Sequence, residues 1–515
     1  MDVPPSPRRW VGPVASLLPA LAFLPAICAP PFNHDVAAVL QFSQRWLDGA
    51  RLYRDLLDVN PPLIFVLNLL PAMLARTGLI GALWAVRLCV FALGVLAWRL
   101  SWRVRDRAGE GAAGRAFHDI LPGLLLLCAG YDFAQREHLM LIAALPYLFA
   151  AARRAAGQAV PRGALAGAVI LAALGFALKP YFLGIPALVE AWVLCRRPDG
   201  ARAGLIDPVP WAMAAIWAAY LAAIAIFLPA YGALLHLVFR LYVPRGLSLE
   251  QTLTGSRMGA VECFLAALSI VLVWRIRRIR RASLLAVFWL AAIGALASAI
   301  VQHKGWSYHV VPIEMFTCAL ACEAATGFLD RLGHPGVAAA RHRIAACCAG
   351  LFALYAISNG EAPWKEIAYP GSEVAQLVRI LQAAPRGRVL VLAPGIYPIY
   401  PALNMAHDRQ ALDAMNLWVL QGLYRSCLAD GARYRPRAAI GPTERHVLDD
   451  AARALAARPV ALVVDTVPGI PWCGSEFDIL TYFRRDPLFA ASFARYHLAA
   501  RFSHFLVFRP KETAR

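Results

Sequence analysis

The feature that leaves this chain the fewest options is a succession of apolar runs, each of roughly 15 to 22 residues, broken by short polar gaps. In hydrocarbon a backbone can satisfy its own hydrogen bonds only as a helix or a closed barrel, and a barrel strand alternates with period two. These runs do not alternate. With 60% hydrophobic residues, 16% charged residues and a mean hydropathy of +0.55, no soluble core could take up so much apolar surface. The sequence therefore describes a polytopic α-helical membrane protein.

The formal charge of +19 invites a nucleic-acid reading, but its distribution excludes that partner. Arginines cluster in short gaps, at Arg8-Arg9, Arg99 to Arg107, Arg153-Arg154, Arg196-Arg197, Arg275 to Arg281 and Arg341 to Arg343, while alternate gaps lack them. That is the positive-inside pattern, and it sets topology. All the cysteines except Cys427 and Cys473 fall in apolar runs, where they act as small hydrophobes. No zinc spacing, Walker A sequence or strand-borne GxGxxG is present.

Residues 10–28 follow Arg8-Arg9 and read as an uncleaved first span with the N-terminus inside, since Ala26-Ile27-Cys28 makes a poor cleavage site. The polar interval after it is then external. If 61–75 and 79–100 both crossed, the arginine-rich segment 101–115 would lie outside, so 61–75 is expected to be an interfacial or re-entrant helix. Inward crossing at 79–100 makes the rest consistent: 119–131, 137–152, 163–178, 180–195, 209–228, 259–275, 282–301, 309–328 and 344–358. The expectation is about eleven transmembrane helices in residues 1–358, with an external loop at 29–78. Residues 359–515 form a soluble α/β domain on the periplasmic side. Runs Arg388–Ala393, Val460–Val464 and His504–Phe508 read as strands, and Glu373–Ala384 and Val447–Ala457 as helices. An oxidising compartment permits a disulfide between Cys427 and Cys473.

Polar residues that do more than mark topology gather in the external loops. After Asn33, a natural N-cap, apolar positions 36, 39, 40, 46 and 47 trace one face of a surface-lying helix ending at Gly49. Asp35 falls in its first turn, where the helix dipole favours an ionised carboxylate suited to general-base work. Lys179 stands alone at the tip of a tight external turn, either a snorkelling anchor or a functional cation. Gln302 to His309 holds two histidines and a lysine, more than an aromatic belt requires. Arg240, Arg245 and Arg257 lie in a long external loop, 231–258, able to cover a site.

An acidic residue just past the first span, then a helix, then Gly49-Ala-Arg-Leu-Tyr53-Arg-Asp55 and Pro61-Pro62-Leu63 before an apolar helix, resembles the GT-C glycosyltransferases. The likeness is to the branch with the protein O-mannosyltransferases and the lipid A aminoarabinose transferases. It extends over about residues 10–200, and Arg136-Glu137 at a span entrance resembles that branch's Arg-Glu element. The resemblance implies an inverting enzyme using a polyprenyl-phosphate-linked sugar donor, with a lipid, glycan or protein acceptor, at the bacterial inner membrane. It makes Asp35 the base, with His34 beside it where relatives carry a second acid. Arg136, Lys179, Lys304 and His303 would hold the donor phosphate. Tyr53, Asp55, Asp58, Asn60 and Glu137 would contact substrate or build the loop, Glu137 pairing with or orienting Arg136. The sequence names no definite cofactor; a divalent metal is possible at His34, Asp35 and His303, though no spacing demonstrates it. The alternative is a transporter or flippase of a lipid-linked or anionic substrate, with Arg136, Lys179 and Lys304 lining its path.

Overall fold

A computed structural model describes residues 32–105, 112–127, 129–196, 198, 204–255, 258–275, 282–331 and 367–511. The expected spans at 10–28 and 344–358 lie outside them. The described residues within 86–222 and 246–366 make one compact unit; those within 31–85, 223–245 and 367–515 make another.

In the first unit every apolar run expected to span between 79 and 328 is a helix: Ala82–Val104, Ala112–Leu127, Arg136–Ala155, Arg162–Ala177, Gly184–Arg196, Pro208–Phe227, Met258–Arg275, Ala282–Gln302 and Ser307–Arg331. Among the described residues three stretches, Ala82–Val104, Pro208–Phe227 and Leu284–Gln302, are long and apolar enough to cross a membrane by length and composition. Small residues let the helices meet closely, as expected where packing rather than hydrophobicity drives association. A Cβ on Gly175 would stand 2.8 Å from that of Ala143, and one on Gly294 would stand 2.8 Å from Ile185 Cα. Arg154 forks onto Glu190 at 2.8 Å while its Nε donates to Asp207 at 3.0 Å, and Tyr147 donates to Glu190 at 2.7 Å, so the charges at that end of the helix Arg136–Ala155 answer one another.

The second unit contains a mixed five-stranded sheet of order β2-β1-β3-β5-β4, from β1 (Arg388–Leu392), β2 (Arg409–Gln410), β3 (Ala461–Asp465), β4 (Tyr496–Phe502) and β5 (Phe505–Pro510). β1 runs parallel to both β2 and β3, while β5 is antiparallel to β3 and β4. β3 is buried throughout, as the unbroken apolar run predicts for a central strand. Leu390, Leu392, Leu462 and Val464 meet Tyr482, Phe483 and Phe489 in the core. The helix Glu373–Gln382 is capped by Ser372 Oγ, which accepts from Ala375 N, and buries Val374, Leu377, Val378 and Leu381. Cys427 and Cys473 are joined by a disulfide.

Three elements depart from the sequence expectation. β2 and β4 were not foreseen: β2 is two residues long, and the middle of β4 is exposed, so neither carries an apolar run. Within 231–258, Ala230–Leu241 is a helix and not loop, because Tyr231, Leu234, Val238 and Leu241 recur at helical spacing and are buried together.

Candidate active site

The candidate residues divide between the two units. In the second unit the helix His34–Leu47 begins as expected, with Asn33 Oδ1 accepting from Val36 N at 3.3 Å. Asp35 occupies the first turn, and His34 Nε2 is 3.9 Å from its Oδ1. Both side chains are partly exposed, at 29% and 17%. The His34 ring meets Tyr397 edge-on, centroids 6.1 Å apart. Tyr397 lies in the loop after β1 and was not singled out from sequence.

The loop that follows is internally wired. Asp55 accepts from the Arg51 backbone and takes its guanidinium bidentately, all at 2.9 Å, and these bonds pull its carboxyl down to about 2. Tyr53, left-handed at φ 65°, donates to Asn60 O at 2.6 Å and meets the Tyr231 ring at a tilt of 39°, centroids 4.6 Å apart. Asp58 Oδ1 accepts from Asn60 N at 2.8 Å. Leu57 N reaches Asp413 O at 2.7 Å, tying the loop to the residues after β2.

In the first unit Arg136 and Glu137 open their helix, both buried. Glu137 pairs with Lys179, whose Nζ lies 2.6 Å from Oε1 and 3.1 Å from Gln302 Oε1. Lys179 is only 7% exposed, which excludes the snorkelling anchor. Tyr308 presents its face to two cations, Lys179 at 4.9 Å and Arg136 at 5.8 Å. His309 Nε2 is 3.8 Å from Glu137 Oε1; Glu137 Oε2 and both His309 ring nitrogens make no hydrogen bond among the described residues. His138 takes no part: its Nδ1 accepts from Ala134 N at 3.0 Å and its Nε2 reaches Leu125 O at 2.6 Å.

His303 and Lys304 stand in the turn after Gln302. His303 is held at φ 38°, its carbonyl accepts from Leu247 N at 2.7 Å, and its ring fills the space beside Gly246, where a Cβ would lie 1.6 Å from Nδ1. Gln302, which the sequence offers only as a neighbour of these residues, fixes Lys179. It is itself fixed by donating to Ser298 O and Oγ at 3.2 Å. The first unit thus concentrates cations, a buried carboxylate and aromatic faces, an arrangement able to hold an anionic group. Among the described residues no group of three or more His, Cys, Asp or Glu is arranged to hold a metal ion.

No protein-family model matches this chain, and no curated protein matches it. Among solved structures it resembles the crystal structure of ArnT from Cupriavidus metallidurans bound to undecaprenyl phosphate, at a TM-score of 0.56 and 13% identity over 98% of each chain. At that identity the likeness speaks to fold alone, and the fold is shared along nearly the whole of both chains.

Proposed function

We propose, from a fold shared over 98% of both chains with a protein crystallised with undecaprenyl phosphate, that this chain is a membrane glycosyltransferase of the bacterial inner membrane. It takes a sugar from a polyprenyl-phosphate carrier and delivers it to a lipid, glycan or protein hydroxyl on the periplasmic face. The eleven-span topology, with the N-terminus inside and residues 359–515 outside, belongs to this reading. The Cys427–Cys473 disulfide supports it, because such bonds persist in oxidising compartments.

In the proposed reaction the acceptor hydroxyl gives its proton to the Asp35 carboxylate as its oxygen bonds to the anomeric carbon. The bond from that carbon to the phosphate oxygen breaks, and the lipid phosphate leaves with the electron pair. One displacement inverts the anomeric centre. His34, 3.9 Å from Asp35 Oδ1, is the neighbour that shares the captured proton. The charge arriving on the phosphate is met by Arg136 and Lys179, with Lys304 and His303 in support. Lys179 rests against Glu137 and Gln302, so an incoming phosphate competes for a cation already held in place. Tyr53, Asp55, Asp58 and Asn60 shape the loop beside the acceptor. The transporter alternative is set aside because the fold likeness favours a transferase.

The test is transfer by purified protein from a panel of radiolabelled polyprenyl-phosphate sugars to membrane extract. Label should pass to an extract component, and Asp35→Asn should abolish it. Full transfer by Asp35→Asn sinks the base assignment. Donor flipping across vesicles without any transfer returns the transporter reading.

A further inference from the structure

The helix that carries Asp35 rests on three polar points along one stripe. Asn404 Nδ2 donates to Ala37 O at 3.0 Å; Gln41 bonds to residues 408 and 410; and Arg45 Nη1 donates to Leu412 O at 2.8 Å. Positions 37, 41 and 45 recur every fourth residue, so at about 100° per residue they form one narrow face about 12 Å long. His34 prolongs that face, in keeping with its contact to Tyr397, and Asp35 lies about 120° around the helix from it.

The middle point is unusual in form. β2 is the outermost strand of its side, and it turns residues 409 and 411 to β1: Arg409 N bonds to Gly387 O and Ala411 N to Val389 O. The groups left pointing outward are Asp408 O and Gln410 N. The Gln41 side chain meets both, its Nε2 donating to Asp408 O at 3.0 Å and its Oε1 accepting from Gln410 N at 2.9 Å. That is the pairing a further parallel strand would supply, made here by one side-chain amide. Gln41 is 2% exposed, so its amide has no water to fall back on.

We infer that Gln41 is a positioning residue for the proposed reaction: by closing the β2 edge it fixes the rotation and height of the helix, and hence the aim of the Asp35 carboxylate. The inference rests on the reading of Asp35 as base. Only a group with one donor and one acceptor at amide spacing fits. A glutamate carboxylate presents a second acceptor to Asp408 O; protonated, it regains a donor and restores the pattern. Methionine fills the volume and offers neither.

The full chain in nanodiscs is assayed for transfer from the polyprenyl-phosphate sugar that the wild type uses, with Asp35→Asn, Gln41→Glu and Gln41→Met alongside. The Gln41 variants should lose about tenfold or more in kcat at pH 7.5 with donor KM within about twofold, since misplacement of an ångström can cost a hundredfold. Relative to wild type at the same pH, Gln41→Glu should recover as pH falls to about 5.5, and Gln41→Met should not; Gln41→Glu against itself across pH serves even if Gln41→Met fails to fold. An inactive Asp35→Asn beside Gln41 variants of wild-type kcat, or a Gln41→Glu loss that ignores pH, overturns the Gln41 role alone. A fully active Asp35→Asn overturns the base assignment and the role resting on it.

Discussion

Lys179 and Glu137, forty-two positions apart, form a buried ion pair with Nζ 2.6 Å from Oε1, and Gln302 Oε1 accepts from the same ammonium at 3.1 Å. One ammonium thereby ties the start of the helix Arg136–Ala155, the turn after Arg162–Ala177 and the end of Ala282–Gln302. Removing one partner leaves the other charge buried. Lys179→Met should therefore lower unfolding stability by about 3–5 kcal/mol, and the double variant Lys179→Met/Glu137→Gln should regain most of it. Transfer should stay lost in both. Unfolding of the detergent-solubilised protein gives the first number, and a double variant no more stable than the single one would count against the pairing.

The disulfide closes a loop of 46 residues within the second unit. By the chain-entropy relation its removal should cost about 4 kcal/mol. Cys427→Ser, or reduction of the wild type, should lower the melting transition of that unit, and the two treatments together should do no more than either alone.

Asp413 should make the second unit pH-sensitive. Burial, with Asp450 adding to it, raises its carboxyl to about 6, and burial raises Asp450 as well. A folded-state value above the unfolded one contributes stability that is full below the ordinary carboxylate range and is lost as pH rises through about 6. Melting of this unit should thus fall between about pH 4 and pH 7, and Asp413→Asn should flatten the slope. Parallel curves for variant and wild type would refute the assignment.

Gly246 should tolerate no side chain while His303 keeps its place. A Cβ there would sit 1.6 Å from Nδ1, so Gly246→Ala must displace the imidazole, at about 1–3 kcal/mol for overpacking. Loss of transfer should accompany it, because the turn also carries Lys304. The double variant Gly246→Ala/His303→Ala should recover the stability, read by the same melting experiment.

What could be read from sequence was local. Apolar runs became helices, the Asn33 cap and the first-turn Asp35 stand where the helix signals put them, and β1, β3 and β5 follow apolar stretches. What escaped depends on partners far away. Gln41 looks like any polar residue between apolar ones until residues 408 and 410 reach it across 367 and 369 positions. Glu137 stands beside Arg136 in sequence, and nothing in the sequence marks Lys179, forty-two positions on, as its ion-pair partner. Tyr397 sits between Ile396 and Pro398 in a turn with no periodicity to mark it.

The bonds from Gln41 and Arg45 to residues 408–412 also set a schedule. At ribosomal speeds of about 5–20 residues per second, the 367 residues separating Arg45 from Leu412 take roughly 20 to 70 s to emerge. For that interval the Asp35 helix exists without the strand edge that orients it. On the proposed reading the base is made well before it is aimed, and a nascent chain should stay catalytically silent until its sheet has formed.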